Sequence, residues 1–374
     1  MKKKATRVLV IADDITGAAE MAGIAFAHGL RTQLMVAADG KDAAHEEPDT
    51  ADVLVVATDT RSMTEAEAVA ETHRILTVLA KSDCRDAIVF KKTDSALRGH
   101  VVAELRPLLQ ATGCRQALYM PANPSKGRTI SGGVYYIGGR PIAETDFSFD
   151  PEFPAKTSRL SERFPDAKDI LMPDAESQTD IDRLVAETPD GTLFAGAADF
   201  FTAVLRKQFA TQPTTEGNSG VDTSQPTLIV CGSTQSKPLD LGIAEAPMPL
   251  AIYDGSTDIG LWPTARYADT HSAILTIPHR HRTGKQAAEH LRHATALMVS
   301  RLVSIHRPQE LIIEGGATAF AILQQLGWQQ FRIVQQLAPG VVRMQAPVGT
   351  FVTMKPGSYP WASALPTRED GDDC

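Results

Sequence analysis

The sequence has 374 residues, 43% hydrophobic and 22% charged, with a formal net charge of −8. That is enough chain for two domains of ordinary size and enough apolar mass for real cores. The acidic balance argues against general nucleic-acid binding and against an anionic membrane surface, and no segment approaches the roughly 20 apolar residues of a membrane span.

The opening Met1-Lys-Lys-Lys has the charge of a signal-peptide start, but the apolar run behind it is short and is broken by Asp13 and Asp14. The expected compartment is the cytoplasm. Cys84, Cys114, Cys231 and Cys374 show no CxxC spacing, so reduced structural thiols are expected rather than zinc or disulfides.

In chain order, short β-branched runs alternate with longer amphipathic stretches, the pattern of βα units around a mainly parallel sheet. Strands are predicted at 7–12, 53–57, 87–91, 116–120, 170–172 and 192–195. Helices are predicted at 17–28, stopping at Gly29, and from the capping box Thr64-Glu-Ala-Glu67 to about Ala80. Another covers 99–111, before Gly113. Val134–Ile137, Gly138-Gly139 and Arg140–Ile142 read as a hairpin, because Gly-Gly suits a two-residue turn.

The polar interval 210–227 reads as a linker, dividing the chain into domains 1–209 and 228–374. Beyond it the rhythm resumes with strands at 228–231, 274–277 and 310–314, a long helix around 283–305, and, after Gly315-Gly316, a helix from about Ala317 to near Gly327. The last eight residues are mostly charged and expected to fray. The fold class expected is therefore α/β, with two domains, each a mainly parallel sheet flanked by helices, and a cleft between them.

Polar residues gather just past each N-terminal strand. The first loop gives Asp13, Asp14 and Thr16; the second Thr58, Asp59, Thr60 and Arg61; the third Lys92, Thr93, Asp94, Ser95 and Arg98; the fourth Asn123, Ser125, Lys126 and Arg128. In a parallel sheet such loops share one edge, where ligands bind. Carboxylates beside cations suit a small molecule with hydroxyls and an acid group. Blander roles stay open: Asp59 and Arg61 as caps for the helix near Thr64, Lys91 as a solvated neighbour of Lys92, and Glu104 and Arg106 as helix-surface charges.

In the second half, Leu228-Ile-Val-Cys-Gly-Ser-Thr and Leu311-Ile-Ile-Glu-Gly-Gly-Ala-Thr-Ala are strand-to-turn passages where backbone N–H groups can approach an anion. Neither GxxxxGK[ST] nor GxGxxG occurs, so a Walker loop and a dinucleotide fingerprint are both missing. His279, His281, His290 and His293 raise a metal reading, but their charged surroundings favour a polar loop and helix face.

Together, Ile11-Ala-Asp-Asp-Ile-Thr-Gly-Ala, Thr58-Asp-Thr-Arg-Ser, Lys91-Lys-Thr-Asp-Ser-Ala-Leu-Arg-Gly and Pro121-Ala-Asn-Pro with Gly127-Arg-Thr resemble the four-carbon acid sugar kinase family. Gly315-Gly-Ala-Thr and Met354-Lys-Pro-Gly-Ser resemble its two later glycine motifs. The resemblance implies ATP-dependent phosphorylation of a terminal hydroxyl of threonate, erythronate or 3-oxo-tetronate. It implies substrate contacts from Asp13, Asp14, Thr16, Arg61, Lys92 and Arg98, with Arg61 and Arg98 on the substrate carboxylate and Asp14 orienting hydroxyls. Asp94 is the expected proton acceptor, with Asp13 and Asp14 as alternatives.

ATP contacts are implied for Ser233, Gly315, Gly316, Ala317, Thr318 and Gly357. Mg²⁺ would travel with ATP, held by phosphates and water rather than a protein cage. A homodimer is compatible with all of this. Ala317 stands where the family usually has an acid, and Lys355-Pro-Gly-Ser departs from its usual Lys-Ser-Gly-Asn. These departures keep open a silent sugar-acid-binding regulator; an NAD(P) oxidoreductase is disfavoured by the missing fingerprint.

Overall fold

The computed structural model describes residues 7–37, 51–79, 87–211, 221–232, 239, 241–263, 267, 271–278 and 284–357. Half of the predicted linker, 212–220, falls outside them, as do Ser233, His279, His281, both chain ends, Cys84 and Cys374. The chain forms two compact units, Met1–Gln33 with Asp39–Thr214, and Leu34–Ala38 with Thr215–Cys374. Five residues from the front half thus count with the back half; there the Val36 N–H donates to the Gln329 carbonyl at 2.8 Å.

The first unit is built on parallel strands β1 (Val8–Ala12), β3 (Val53–Ala57), β4 (Ile88–Lys92), β5 (Gln116–Met120), β9 (Ile170–Leu171) and β10 (Thr192–Gly196), in the order β3-β1-β4-β10-β5-β9. β1 and β3 are buried along their whole length, as expected for strands covered on both faces. Helix Ile15–Ala27 packs against β1, β3 and β4, whereas helix Glu65–Leu79 packs with helix Val101–Thr112. The chain leaves β1 toward β3 and then crosses back to β4, so β1 ends at a topological switch point, where doubly wound sheets bind ligands. The predicted capping box is present: Glu67 accepts from the Thr64 N–H at 2.9 Å and its hydroxyl at 2.7 Å.

The predicted hairpin is part of a separate antiparallel sheet of β6 (Arg128–Ser131), β7 (Val134–Ile137) and β8 (Arg140–Pro141). Gly138 and Gly139 have φ of 57° and 77°. A β-carbon is unfavourable at both, and that is why the turn is Gly-Gly. Strand β2 (Thr32–Val36) was not foreseen in the sequence.

In the second unit β11 (Thr227–Cys231), β12 (Glu245–Pro247), β13 (Ala273–Thr276), β14 (Glu310–Glu314) and β17 (Phe351–Lys355) run parallel in the order β12-β13-β11-β14-β17. β16 (Val341–Gln345) and β15 (Gln330–Ala338) continue the sheet in antiparallel pairing. Helices Lys285–His306 and Gly316–Leu326 pack on each other. β11 again lies where the strand order reverses, between β13 and β14.

Two charges read as surface residues are core residues. Lys91 and Glu104 are 0% and 2% exposed and form an ion pair at 2.9 Å. Lys91 and Lys92 are successive strand residues, so they point to opposite faces, and Lys91 meets Glu104 on helix Val101–Thr112. Arg106 is a surface residue as expected, donating to the Asp166 carbonyl at 3.3 Å. Glu104→Gln leaves the Lys91 ammonium buried and unbalanced, and a loss of about 3 kcal/mol is expected in urea unfolding. The volume-matched pair Lys91→Met with Glu104→Leu should recover most of it.

Candidate active site

At the switch point of the first unit the structure brings together every charged side chain proposed for the substrate. Asp13 and Asp14 follow β1 in sequence, and Arg61 wraps both. Its Nε donates to Asp13 Oδ2 at 2.9 Å, and its Nη2 to Asp13 Oδ1 at 2.9 Å and Asp14 Oδ1 at 3.0 Å. Its Nη1 lies 3.7 Å from Asp94 Oδ1. Arg98 forks onto Asp94, Nε to Oδ2 at 2.8 Å and Nη2 to Oδ1 at 3.0 Å, with Asp150 at 3.7 Å from Nη1. Of the two roles open for Arg61, cluster partner or helix cap, the structure therefore has the first. Asp59 accepts from Ser62 at 2.6 Å, and the Thr64 side chain is what pairs with Glu67 at the start of helix Glu65–Leu79.

Helix Ile15–Ala27 begins at this cluster. Asp14 is its N-cap, accepting from the Gly17 N–H at 2.9 Å and so satisfying a first-turn donor. The Thr16 hydroxyl donates to the same carboxylate, and Thr16 is half-buried at the start of the helix. Gly17 leaves a slot. A β-carbon there would lie 2.6 Å from Asp14 Oδ1 and 3.2 Å from Lys92 Nζ. Lys92 runs through that slot to the Thr93 carbonyl, 2.8 Å, and to Glu20, 3.8 Å. Glu20 also receives Lys126 at 2.6 Å. Alanine normally favours a helix over glycine by about 1 kcal/mol. Gly17→Ala should nevertheless lower turnover about tenfold, by displacing Asp14 and Lys92, with little change in melting temperature.

The three aspartates differ in proton affinity. Burial pushes the Asp13 carboxyl up, against the pull of Arg61. For Asp14 burial works the same way but is outweighed by Arg61, Lys92 and the Thr16 bond, and the group is held below its ordinary value. Asp94 is held far below the usual carboxylate range, because Arg61 and the Arg98 fork overcome its burial. Burial disfavours the Arg61 charge too, yet Asp13, Asp14 and Asp94 keep it firmly protonated. A carboxylate as stabilised as Asp94 stays ionised and is a feeble base. In this arrangement Asp94 is ionised and engaged by Arg98 and the turn that follows it.

Arg61 and Arg98, read from the sequence as a clamp for the substrate carboxylate, are both engaged within the protein. Both guanidinium forks lie against the protein's own acids, and Arg98 is the more exposed, at 33% against 17%. Glu20, Asp150 and Lys126 complete the cluster. Among the described residues no group of three or more His, Cys, Asp or Glu is arranged to hold a metal ion, and the His290 Nε2–H donates to the Ile252 carbonyl at 2.7 Å.

In the second unit, the turn after β14 begins helix Gly316–Leu326 with Gly315 at φ 99°. The Gly315 N–H already donates to the Lys355 carbonyl at 2.9 Å, so Gly315 shapes the turn and the first-turn N–H groups of Gly316, Ala317 and Thr318 are the ones without intrahelical acceptors. Ala317 is exposed, whereas Thr318 is buried against Gly232. A β-carbon on Gly232 would come within 2.5 Å of Thr318 Oγ1 and 2.8 Å of the Glu314 carbonyl. That close approach fixes the end of β11 beside the turn.

Lys355, neighbour of Glu314 in the parallel register, pairs with it at 2.5 Å with both buried. Its Nζ is 3.5 Å from the Gly357 carbonyl. Beside these strand ends lies a largely apolar crevice of about 710 Å³ lined by residues including Cys231, Met248, Leu261, Ile274 and Thr276. Burial, with Glu314 and Glu245, pushes the Cys231 thiol up to about 12, which makes it an inert wall residue.

Comparison with known proteins fits these two halves. Residues 8–165 match the family model described as a sugar-binding N-terminal domain, and residues 253–359 that described as a nucleotide-binding C-terminal domain. The D-threonate kinase of Salmonella typhimurium is 25% identical over 95% of this chain and 93% of its own. The chain belongs to the four-carbon acid sugar kinase family.

The 3-oxo-tetronate kinase of Cupriavidus necator is 27% identical over 88% of both chains. A solved protein of Salmonella typhimurium LT2 shares the fold at TM-score 0.73 and 17% identity, over 95% of this chain and 96% of the other. The α/β reading with a mainly parallel sheet flanked by helices therefore holds. No helix among the described residues is long and apolar enough to cross a membrane.

Proposed function

We propose that this chain is an ATP-dependent kinase that phosphorylates the terminal hydroxyl of a four-carbon sugar acid such as threonate, erythronate or 3-oxo-tetronate. The observation that carries the reading is the buried acid–guanidinium cluster at the end of β1, within the span that matches a sugar-binding model. Ionised Asp14 and Asp94 accept hydrogen bonds from substrate hydroxyls, and the outer face of Arg98, with Lys92 and Lys126, meets the carboxylate.

In the second unit the N–H groups of Gly316, Ala317 and Thr318 meet the phosphates, where the helix dipole favours negative charge. The apolar crevice beside Cys231 and Met248 takes the purine. Gly357 and Lys355 border the phosphates. Mg²⁺ fits this donor set as a phosphate-bound ion, and would neutralise charge on the transferred group. In-line phosphoryl transfer asks the protein for positioning and charge balance, which is what a rigid ionic cluster supplies.

The test is ADP release over a panel of four-carbon acids with ATP and Mg²⁺, alongside thermal shifts. Acid-dependent ADP is expected. Thermal stabilisation by an acid without ADP would instead mark a silent binder, the reading that Ala317 keeps in play.

A further inference from the structure

The small sheet β6–β8 carries none of the charged residues of the cluster, yet it reaches the turn that does. Tyr135, in the middle of β7, is fully buried. Its hydroxyl donates to the Ser95 carbonyl at 2.5 Å and lies 3.0 Å from the Pro121 carbonyl. Those carbonyls belong to the loops after β4 and β5, so one phenol spans two of the loops at the cluster. Arg128 on β6 adds a bond to the Ser95 hydroxyl.

The turn being held, residues 94–98, is an uncommon one. Leu97 has φ 61° while only 2% exposed, a conformation that costs a non-glycine residue energy and persists where surroundings over-determine it. The surroundings here are nameable. Asp94 accepts from the Ala96 and Arg98 N–H groups at 3.0 and 3.4 Å. Arg163 donates to the Leu97 carbonyl at 3.3 Å.

We infer that Tyr135 is a positioning residue: through the Ser95 carbonyl it holds the left-handed turn that aims Asp94 and Arg98. Burial keeps its phenol protonated, so the donor is always available. The inference rests on the kinase reading only for its kinetic consequence.

The test is Tyr135→Phe in the full chain, which keeps the ring and removes one hydroxyl. Two readouts are taken: hydrogen–deuterium exchange of the 94–98 amides without ligand, and kcat and KM under acid-dependent ADP release. Exchange at Ala96 and Arg98 should quicken at least about tenfold. The kcat should fall about tenfold, with the KM for ATP unchanged and the melting temperature within a few degrees.

Native-like exchange at these amides overturns the inference, because Tyr135 would then be core packing alone; unchanged kcat when exchange has quickened also overturns it, because the turn would then not be what aims Asp94 and Arg98. If the native chain releases no ADP with any acid, the kinase reading fails while the exchange result still decides whether Tyr135 holds the turn.

Discussion

Asp94→Ala should lower acid-dependent turnover by at least about 100-fold while nucleotide binding to the second unit is retained. The carboxylate removed is the one that Arg98 forks onto at 2.8 and 3.0 Å and that Arg61 approaches at 3.7 Å. It also accepts from the Ala96 and Arg98 N–H groups, so its loss frees the turn and leaves two guanidinium charges short of a partner. Asp94→Asn separates these roles. The amide keeps the shape and some of the acceptor capacity but loses the charge. A kcat between those of the native protein and the alanine variant would assign Asp94 an orienting role; a loss equal to that of alanine would assign the effect to charge. Turnover equal to the native in both would remove Asp94 from the chemistry. Nucleotide binding is followed by titration calorimetry with a non-hydrolysable ATP analogue.

How far the sequence led is clear from particular residues. The βα rhythm was legible because β1, β3, β11 and β14 are buried from end to end, which writes them as apolar runs. Acids and arginines at strand ends were legible as a cluster because a parallel sheet puts those ends on one edge. Which acid meets which arginine was not, since Arg61 finds Asp13 across 48 positions.

Lys91 looked solvated beside Lys92 because its partner, Glu104, sits on the facing helix. Glu20 was hidden within an otherwise small and apolar helix start. Tyr135 was read only as part of a hairpin, since nothing local tells a strand tyrosine that its hydroxyl will meet two loop carbonyls. In the second unit the antiparallel β15–β16 pair carries irregular register near Gln335 and Gln336, which blurs the alternation by which strands are recognised.

Arg61→Met should be the most destabilising single change in the cluster, about 5 kcal/mol near neutral pH, the upper end for stripping the partner from buried charge. One guanidinium serves Asp13 twice, Asp14 once and Asp94 at longer range. The pH dependence makes the prediction specific. In the native protein Asp14 and Asp94 have folded pKa values below their unfolded ones. They therefore add stability above pH of about 4, and lose it as pH falls toward the folded values.

Asp13 runs the other way: its folded value is raised, so its ionisation costs stability, and the cost is removed as pH drops through that value. Without Arg61, Asp13 loses the cation that makes both of its ion-pair bonds, and burial and the Asp14 charge raise its proton affinity against the smaller pull of Lys91. Its folded pKa then rises further above the unfolded one, the folded state binds the extra proton, and stability must increase as pH falls. Urea unfolding at pH 7.5, 6.0 and 5.0 should show Arg61→Met gaining stability over this range, with the native protein gaining much less. Arg61→Lys, which keeps the charge but not the fork, should fall between them. Parallel pH profiles for Arg61→Met and the native chain would mean that Arg61 is not what balances these buried acids.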